Sequence, residues 1–318
     1  MNDLNKIHFF SIKKGLSKKQ RLETYKKALL ALGLKFVPEG KTNAQNGGRI
    51  ELTFKKLKSR GQSALILFLT VGDPSIKITS KLLEVIPKAG VDIIELGFPF
   101  SDPMADGPII QRASERSLKN KTNLKKVLLL VKKFRKHNQN TPIVLMGYYN
   151  PIYIYGRRKF IRDAKNSGVD GLIVVDLPPE ADNELCLPAI QAGINFIRLA
   201  TPTTDEKRLP VVLKNTNGFV YFVSISGITG TKSAKIESIK SHVRKIRAKT
   251  NLPIAVGFGV KTAKQVREIA KVSDGVVVGS SFVSLIERNL NKNGQAKSDL
   301  VKNCINFLQK LSKAAKEK

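Results

Sequence analysis

The sequence predicts one α/β domain closed into an eight-stranded (β/α)8 or TIM barrel, with a basic N-terminal extension before it. Three observations carry that expectation. Eight short apolar runs recur from residue 50 onward, each bounded by Gly, Pro or Asp. They are nearly continuous in apolar character, as parallel strands covered on both faces require. Helical patterns separate them, and strand–helix alternation at this short spacing favours a closed barrel.

Residues 1–49 differ from the rest. Leu22, Tyr25, Leu29 and Leu32 fall at helical spacing within Lys-rich sequence, which predicts one basic amphipathic helix. The polar, Gly-containing stretch 39–48 reads as a linker. A targeting peptide is an alternative for this extension, but Arg and Ser are few and no secretory-type apolar core is present. Ile50, Phe54 and Leu57 then make an apolar stripe suited to a helix closing the lower end of the barrel.

The eight strands are expected at 64–69, 92–96, 142–146, 171–175, 195–199, 219–223, 253–256 and 275–278. Helical patterns lie at 76–89, 123–136, 158–167, 181–192, 236–249 and 263–270. A last amphipathic pattern at 300–311 predicts a basic C-terminal helix packing on the barrel. The expected division is thus 1–49 extension, 50–290 catalytic barrel and 291–318 C-terminal helix. The competing open, doubly wound sheet needs a Gly-rich dinucleotide turn after its first strand. Here the first strand leads into Thr70-Val-Gly-Asp-Pro74, with one Gly and a Pro.

Composition narrows the function. At 318 residues and 42% apolar the chain can bury a sizeable core. No window approaches the roughly 18 consecutive apolar residues of a membrane span, so a soluble, cytoplasmic protein is expected. Cys186 and Cys304 stand far apart, which suits a reducing setting. His8, His137 and His242 stand alone, so no metal site can be assembled from them by spacing. Lys and Arg number 56 against 25 acidic residues, a formal charge of +31. Residues 1–50 hold 11 basic and 3 acidic residues and 291–318 hold 7 and 2, so the excess is spread along the chain. Such a field attracts polyanions and strengthens binding of an acidic ligand, but Lys-rich drift of the solvated surface accounts for it without any partner. No RNP, helix-turn-helix or zinc-finger pattern accompanies it, so no specific nucleic acid is expected.

Catalytic groups of a barrel cluster at the carboxyl ends of its strands. Glu95 lies inside the second apolar run, where a carboxylate is costly unless it faces the barrel mouth or a partner. Desolvation there raises its pKa toward the range useful for proton transfer. The alternative is a Glu turned outward to a Lys on a flanking helix. The loop that follows carries Asp102 and Asp106. Asp106-Gly107-Pro108 is also a good helix start, with Asp106 as N-cap and Pro in the first turn. Three Gly-bearing loops follow the last strands: Ser226-Gly-Ile-Thr-Gly230, Gly257-Phe-Gly259 and Gly279-Ser-Ser281. Glycines let backbone amides approach an anion, and the loops after strands seven and eight are where barrels often hold phosphate. Plain tight turns are the alternative.

These motifs resemble one family. Glu95-Leu-Gly-Phe-Pro-Phe-Ser-Asp-Pro-Met-Ala-Asp-Gly-Pro108 is similar to the signature of the tryptophan synthase alpha subunits. Gly147-Tyr-Tyr-Asn-Pro151, Asp176-Leu-Pro-Pro-Glu180 and the three Gly-bearing loops match in order, so the resemblance spans roughly residues 50–290. It implies retro-aldol cleavage of indole-3-glycerol phosphate to indole and glyceraldehyde 3-phosphate, in tryptophan biosynthesis. It implies Glu95 as general acid/base and Asp106 as the partner of the indole N–H. Phe258 and Tyr221 would line the indole pocket, with ordinary barrel packing the alternative for both, and Gly230, Gly259, Gly279 and Ser280 would hold the phosphate. Thr229 would bond Asp106 when a mobile loop closes. The resemblance further implies an alpha2-beta2 complex with a beta subunit that carries pyridoxal phosphate, faced by the Pro99–Pro103 loop with Asp102. This chain itself would need no cofactor. The extension and the high charge depart from the family pattern. The rival readings are another phosphate-binding barrel enzyme, such as indole-glycerol-phosphate synthase, and a nucleic-acid-binding protein using the basic surface. The first should bring a catalytic Lys pair at strand ends, which is absent.

Overall fold

A computed structural model describes residues 48–224, 232–257 and 259–317. The basic helix expected through Leu22 and Leu32, and the linker before Gly48, lie outside these residues.

Helix α1 (Arg49–Ser59) leads into β1 (Ala64–Thr70). The chain then alternates through α2 (Ile76–Val85), β2 (Ile93–Gly97), α3 (Pro108–Lys119), α4 (Leu124–Arg135) and β3 (Ile143–Gly147). It continues through α5 (Tyr149–Tyr155), α6 (Arg157–Ser167), β4 (Gly171–Val174), α7 (Cys186–Gln191), β5 (Asn195–Phe196) and β6 (Arg198–Ala200). Last come α8 (Arg208–Leu213), β7 (Val220–Val223), α9 (Lys232–Arg247), β8 (Ile254–Gly257), α10 (Ala263–Ala270), β9 (Gly275–Val278), α11 (Ser280–Arg288) and α12 (Leu300–Lys316). No helix among the described residues is long and apolar enough to cross a membrane.

All the strand pairs are parallel, in the order β5-β4-β3-β2-β1-β9-β8-β7-β6. The two ends of that order, β5 and β6, are halves of one chain run parted at Ile197. The first half pairs with β4 and the second with β7, so the run bridges the gap and closes a barrel of eight staves. The break falls where the strand changes its partner. Two expected helices are also shorter than the periodicity suggested. The 76–89 pattern ends at Val85 and resumes as a 3-10 turn from Pro87, because proline has no N–H to continue the ladder. The 181–192 pattern becomes a 3-10 turn at Pro179–Ala181 and the short α7.

Side chains alternate across the strands and so form two cores. Leu65, Leu67, Ile94, Leu96, Leu145 and Val256 face out against the helices. Ile66, Ile93, Val144, Ile173, Ile197, Phe219, Ala255 and Val277 fill the interior. The stripe Ile50, Phe54 and Leu57 of α1 joins this interior cluster from the amino end of the strands, with the Phe54 ring tilted on Phe219 at 5.7 Å. Gly171 makes room for it. A Cβ there would meet Ile197 Cδ1 at 2.6 Å and Ile50 Cδ1 at 3.2 Å.

The amino ends of the strands are fastened by a repeated device. A polar residue before one strand accepts from a backbone N–H of its neighbour: Asp92 from Leu65 at 2.7 Å, Asp170 from Ile143 at 2.8 Å, Asn217 from Phe196 at 2.5 Å and Asp274 from Ile254 at 2.9 Å. The carboxylates are met in turn by Lys316, by Arg135 and Arg49, and by Arg247. This rim is rigid and closed by α1. The loops at the opposite end are left to carry chemistry.

Candidate active site

Glu95 sits in the middle of β2, and its place in the alternation decides its direction. Ile94 and Leu96 belong to the outer core and Ile93 to the interior, so the side chain of Glu95 points into the barrel and not toward a helix lysine. It is fully buried, and neither carboxyl oxygen has a hydrogen-bond partner among the described residues. Burial alone pushes its pKa up to about 8. At neutral pH this group is therefore a carboxylic acid holding its proton.

Gly97 lies two residues along β2, on the same face and roughly 6–7 Å nearer the rim. It lines a pocket together with Phe68, Thr70, Asp106, Met146 and Tyr148. The glycine is needed there, since a Cβ would approach the Phe68 ring to 2.6 Å. Glu95 thus lies one side-chain layer beneath the pocket that Asp106 flanks.

Asp106 was a candidate N-cap of the following helix, and the structure corrects this. The N-cap of α3 is Gly107, with Pro108 in the first turn and no side-chain cap bond. The Asp106 carboxylate is left free of capping and accepts instead from the Tyr148 hydroxyl. That hydroxyl itself accepts the Ala105 N–H at 3.0 Å, so Tyr148 anchors the loop beside Asp106. Burial raises the Asp106 pKa to about 6, and the bond from Tyr148 opposes the rise. Near pH 7 the two carboxyls differ in state: Glu95 protonated, Asp106 ionised. Sequence reasoning missed Tyr148. Its signal was a phenol placed directly after a strand's carboxyl end, within the Gly147-Tyr-Tyr motif.

Tyr221 on β7 faces the interior and is 8% exposed. Burial holds its phenol well above the usual range, and the Glu95 carboxylate adds to the rise. Its ring lies over Gly257, where a Cβ would come within 2.7 Å of the tyrosine oxygen. Asp102 is exposed in the loop after β2, accepting from the Ser101 hydroxyl at 2.5 Å.

The described glycines of the loops after β8 and β9 lie at the same rim. Gly279 is the N-cap of α11 and Ser280 its first residue, so the first-turn amides of this helix face the mouth. Gly259 adopts φ +73°, the left-handed region that favours glycine. The Ser281 hydroxyl donates to the Val260 carbonyl at 2.8 Å, tying the loop after β8 to the start of α11. Ser224 donates twice to the Gly257 carbonyl at 3.0 Å and joins the end of β7 to that of β8. Thr229, Gly230 and Phe258 lie outside the described residues. Among the described residues no cluster of three or more His, Cys, Asp or Glu side chains could hold a metal.

Comparison with known proteins agrees with this arrangement. The family profile for the tryptophan synthase alpha chain matches residues 54–315. Tryptophan synthase subunit alpha of Legionella pneumophila str. Paris superposes with a TM-score of 0.77 at 36% identity, covering 84% of this chain and 98% of that one. A protein of Aquifex aeolicus VF5 gives 0.76 at 37%, covering 85% and 100%. Mycobacterium tuberculosis tryptophan synthase gives 0.75 at 28%, covering 85% and 99%.

Proposed function

Because this chain belongs to the tryptophan synthase alpha chain family, and so cleaves indole-3-glycerol phosphate to indole and glyceraldehyde 3-phosphate, we propose that Glu95 and Asp106 perform the cleavage. Glu95 gives its proton to the indole ring carbon that bears the side chain. The ring nitrogen then carries positive charge, and the Asp106 carboxylate accepts its N–H and stabilises it. The bond to the side chain breaks and its electron pair returns to the ring, releasing indole. The hydroxyl on the departing carbon becomes the aldehyde carbonyl, and its proton returns to the Glu95 carboxylate. The observation that carries this reading is a fully buried acid, without a hydrogen-bond partner among the described residues, one layer below a pocket that Asp106 flanks.

The phosphate is assigned to the amides of Gly259, Gly279 and Ser280, with Gly230 beside them. Tyr221 and Phe258 are assigned to the indole pocket. Thr229 is assigned to the closing loop that bonds Asp106 and keeps water out during cleavage. Alpha chains of the family do not bind pyridoxal phosphate themselves. The cofactor belongs on a beta subunit, with which this chain forms an alpha2-beta2 complex in the cytoplasm. Ser101 and Asp102 are exposed at the tip of the Pro99–Pro103 loop and Met104 beside them is 80% exposed, which supports a protein partner there.

The two pKa shifts set the pH dependence. Asp106 must be ionised, so activity falls as pH drops through about 6. Glu95 must be protonated, so activity falls as pH rises through about 8. A bell-shaped kcat/KM with its maximum near pH 7 is expected from indole-release assays, and a flat profile from pH 5 to 9 would contradict it.

The barrel is proposed to be complete from residue 50, with 1–49 an appendage and 291–318 a helix on its outside. Deleting residues 1–47 is then expected to leave the rate of indole release, with and without a beta subunit, within about twofold of the full chain. A folded but inactive truncation would show that the extension contributes to the site.

A further inference from the structure

The two halves of the site are carried by different helices. Asp106 stands two residues before α3, and the proposed phosphate amides begin α11. These helices lie side by side, with Ala113 of α3 and Val283 of α11 packed together against Phe68 of the pocket. Outside that apolar seam is a bonded charge network. Arg112 of α3 grips Glu287 of α11 with both arms, Nε to Oε1 at 2.8 Å and Nη2 to Oε2 at 2.9 Å. Arg116, one turn further along α3, also donates to Glu287 Oε1 at 2.8 Å. Its other edge grips Asp73 in the loop after β1, at 2.6 and 3.0 Å. Asp73 is only 1% exposed, and the same loop receives the Ser117 hydroxyl at Val71 and the Asn120 amide at Pro74.

The network contains two positive and two negative side chains and is neutral within itself. A single exposed ion pair contributes little, because solvent screens it and side-chain entropy opposes it. This one is different in geometry: five charge-assisted bonds, four of them forming two bidentate grips, with one carboxylate buried. The contacts of α3 to the loop after β1 do not involve Glu287. The polar link from α3 to α11 runs through Glu287 alone among these bonds.

We propose that Glu287 is a positioning residue for the cleavage reaction: by holding α11 to α3 it makes phosphate binding at Gly279 and Ser280 set the place of Asp106 across the pocket. The proposal rests on the assignment of phosphate to the start of α11. Binding energy from a remote, unreacting group is useful to catalysis only when a rigid connection transmits it to the reacting centre. The phosphate is such a group, and the α3–α11 tie is such a connection.

The test compares two substrates, indole-3-glycerol phosphate and its dephosphorylated form, indoleglycerol. The full chain is assayed in complex with a beta subunit. For the unaltered protein, kcat should be much greater with the phosphate present. In Glu287→Ala, and more weakly in Glu287→Gln, that phosphate advantage in kcat should shrink by about tenfold to a hundredfold. Turnover of indoleglycerol should stay within about twofold. The control is Arg267→Ala, which breaks a surface pair between Arg267 of α10 and Glu317 at the end of α12, at 2.6 Å and away from the site. Because this is a single exposed pair, its loss should leave thermal stability nearly unchanged and should not move the kcat ratio. Glu287→Gln, which keeps the size and one acceptor oxygen but replaces the other with an NH2 donor, guards against a misfolded alanine variant. An unchanged kcat ratio in folded Glu287 variants would overturn the proposal. So would a loss that falls equally on both substrates, or one that appears in KM alone. A full chain that releases no indole from either substrate would instead overturn the reading beneath it.

Discussion

Glu95→Gln is expected to abolish indole formation, lowering kcat by at least about 10³–10⁴-fold, the upper range for loss of a positioned general acid. Glutamine keeps the size and shape of the side chain and has no proton to give to the ring carbon. The fold should survive, and it should gain stability at alkaline pH. In the unfolded chain a glutamate ionises near 4.5, whereas buried Glu95 ionises near 8. The raised value means that stability is highest below the unfolded pKa and declines as pH climbs toward 8. The slope from this one group is about 1.4 kcal/mol per pH unit. Glu95→Gln should remove it. Denaturant titrations at pH 5 and pH 8 would show the variant losing less stability across that interval than the unaltered chain. Near-normal turnover of the variant would end the assignment of Glu95, and an unchanged slope would show that its carboxyl is not desolvated as the geometry requires.

Asp106→Asn is expected to cost about 10²–10³ in kcat, the usual loss for one electrostatic stabiliser of the transition state. The amide is nearly the same size and can still meet the Tyr148 hydroxyl, so the loop should keep its place. What disappears is the negative charge opposite the ring nitrogen as that nitrogen becomes cationic. The loss should therefore fall on kcat and kcat/KM alike and leave KM nearly unchanged. The acid limb of the pH profile, set by Asp106 near 6, should vanish with it. An unaffected rate would return Asp106 to a merely structural role. A large rise in KM alone would make it a binding group only.

Much of the barrel was legible because parallel strands covered on both faces write themselves as apolar runs. Each expected strand lies within one or two residues of an observed one. The break at Ile197 was not legible, since the run is equally apolar on both sides of the point where it changes partner. The direction of Glu95 was not legible either. A strand with two buried faces shows no alternation, so only the packed structure tells inside from outside. Asp106-Gly107-Pro108 carried two compatible local readings, and the choice of Gly107 as N-cap depends on the path of the preceding loop. Tyr148 was hidden because its partners, Ala105 and Asp106, come from a different strand's loop. Arg112, Arg116 and Glu287 were hidden for the same reason, being brought together across 171 and 175 positions by barrel closure.

The central claim is that one carboxyl at the heart of the barrel keeps its proton until substrate arrives. The most direct measurement is a carbon-13 NMR titration of the glutamate side-chain carboxyls, with Glu95 identified by the signal missing from Glu95→Gln. A midpoint of about 8 is predicted, far above that of an ordinary glutamate near 4.5. A Glu95 signal that titrates below pH 6 would contradict the account.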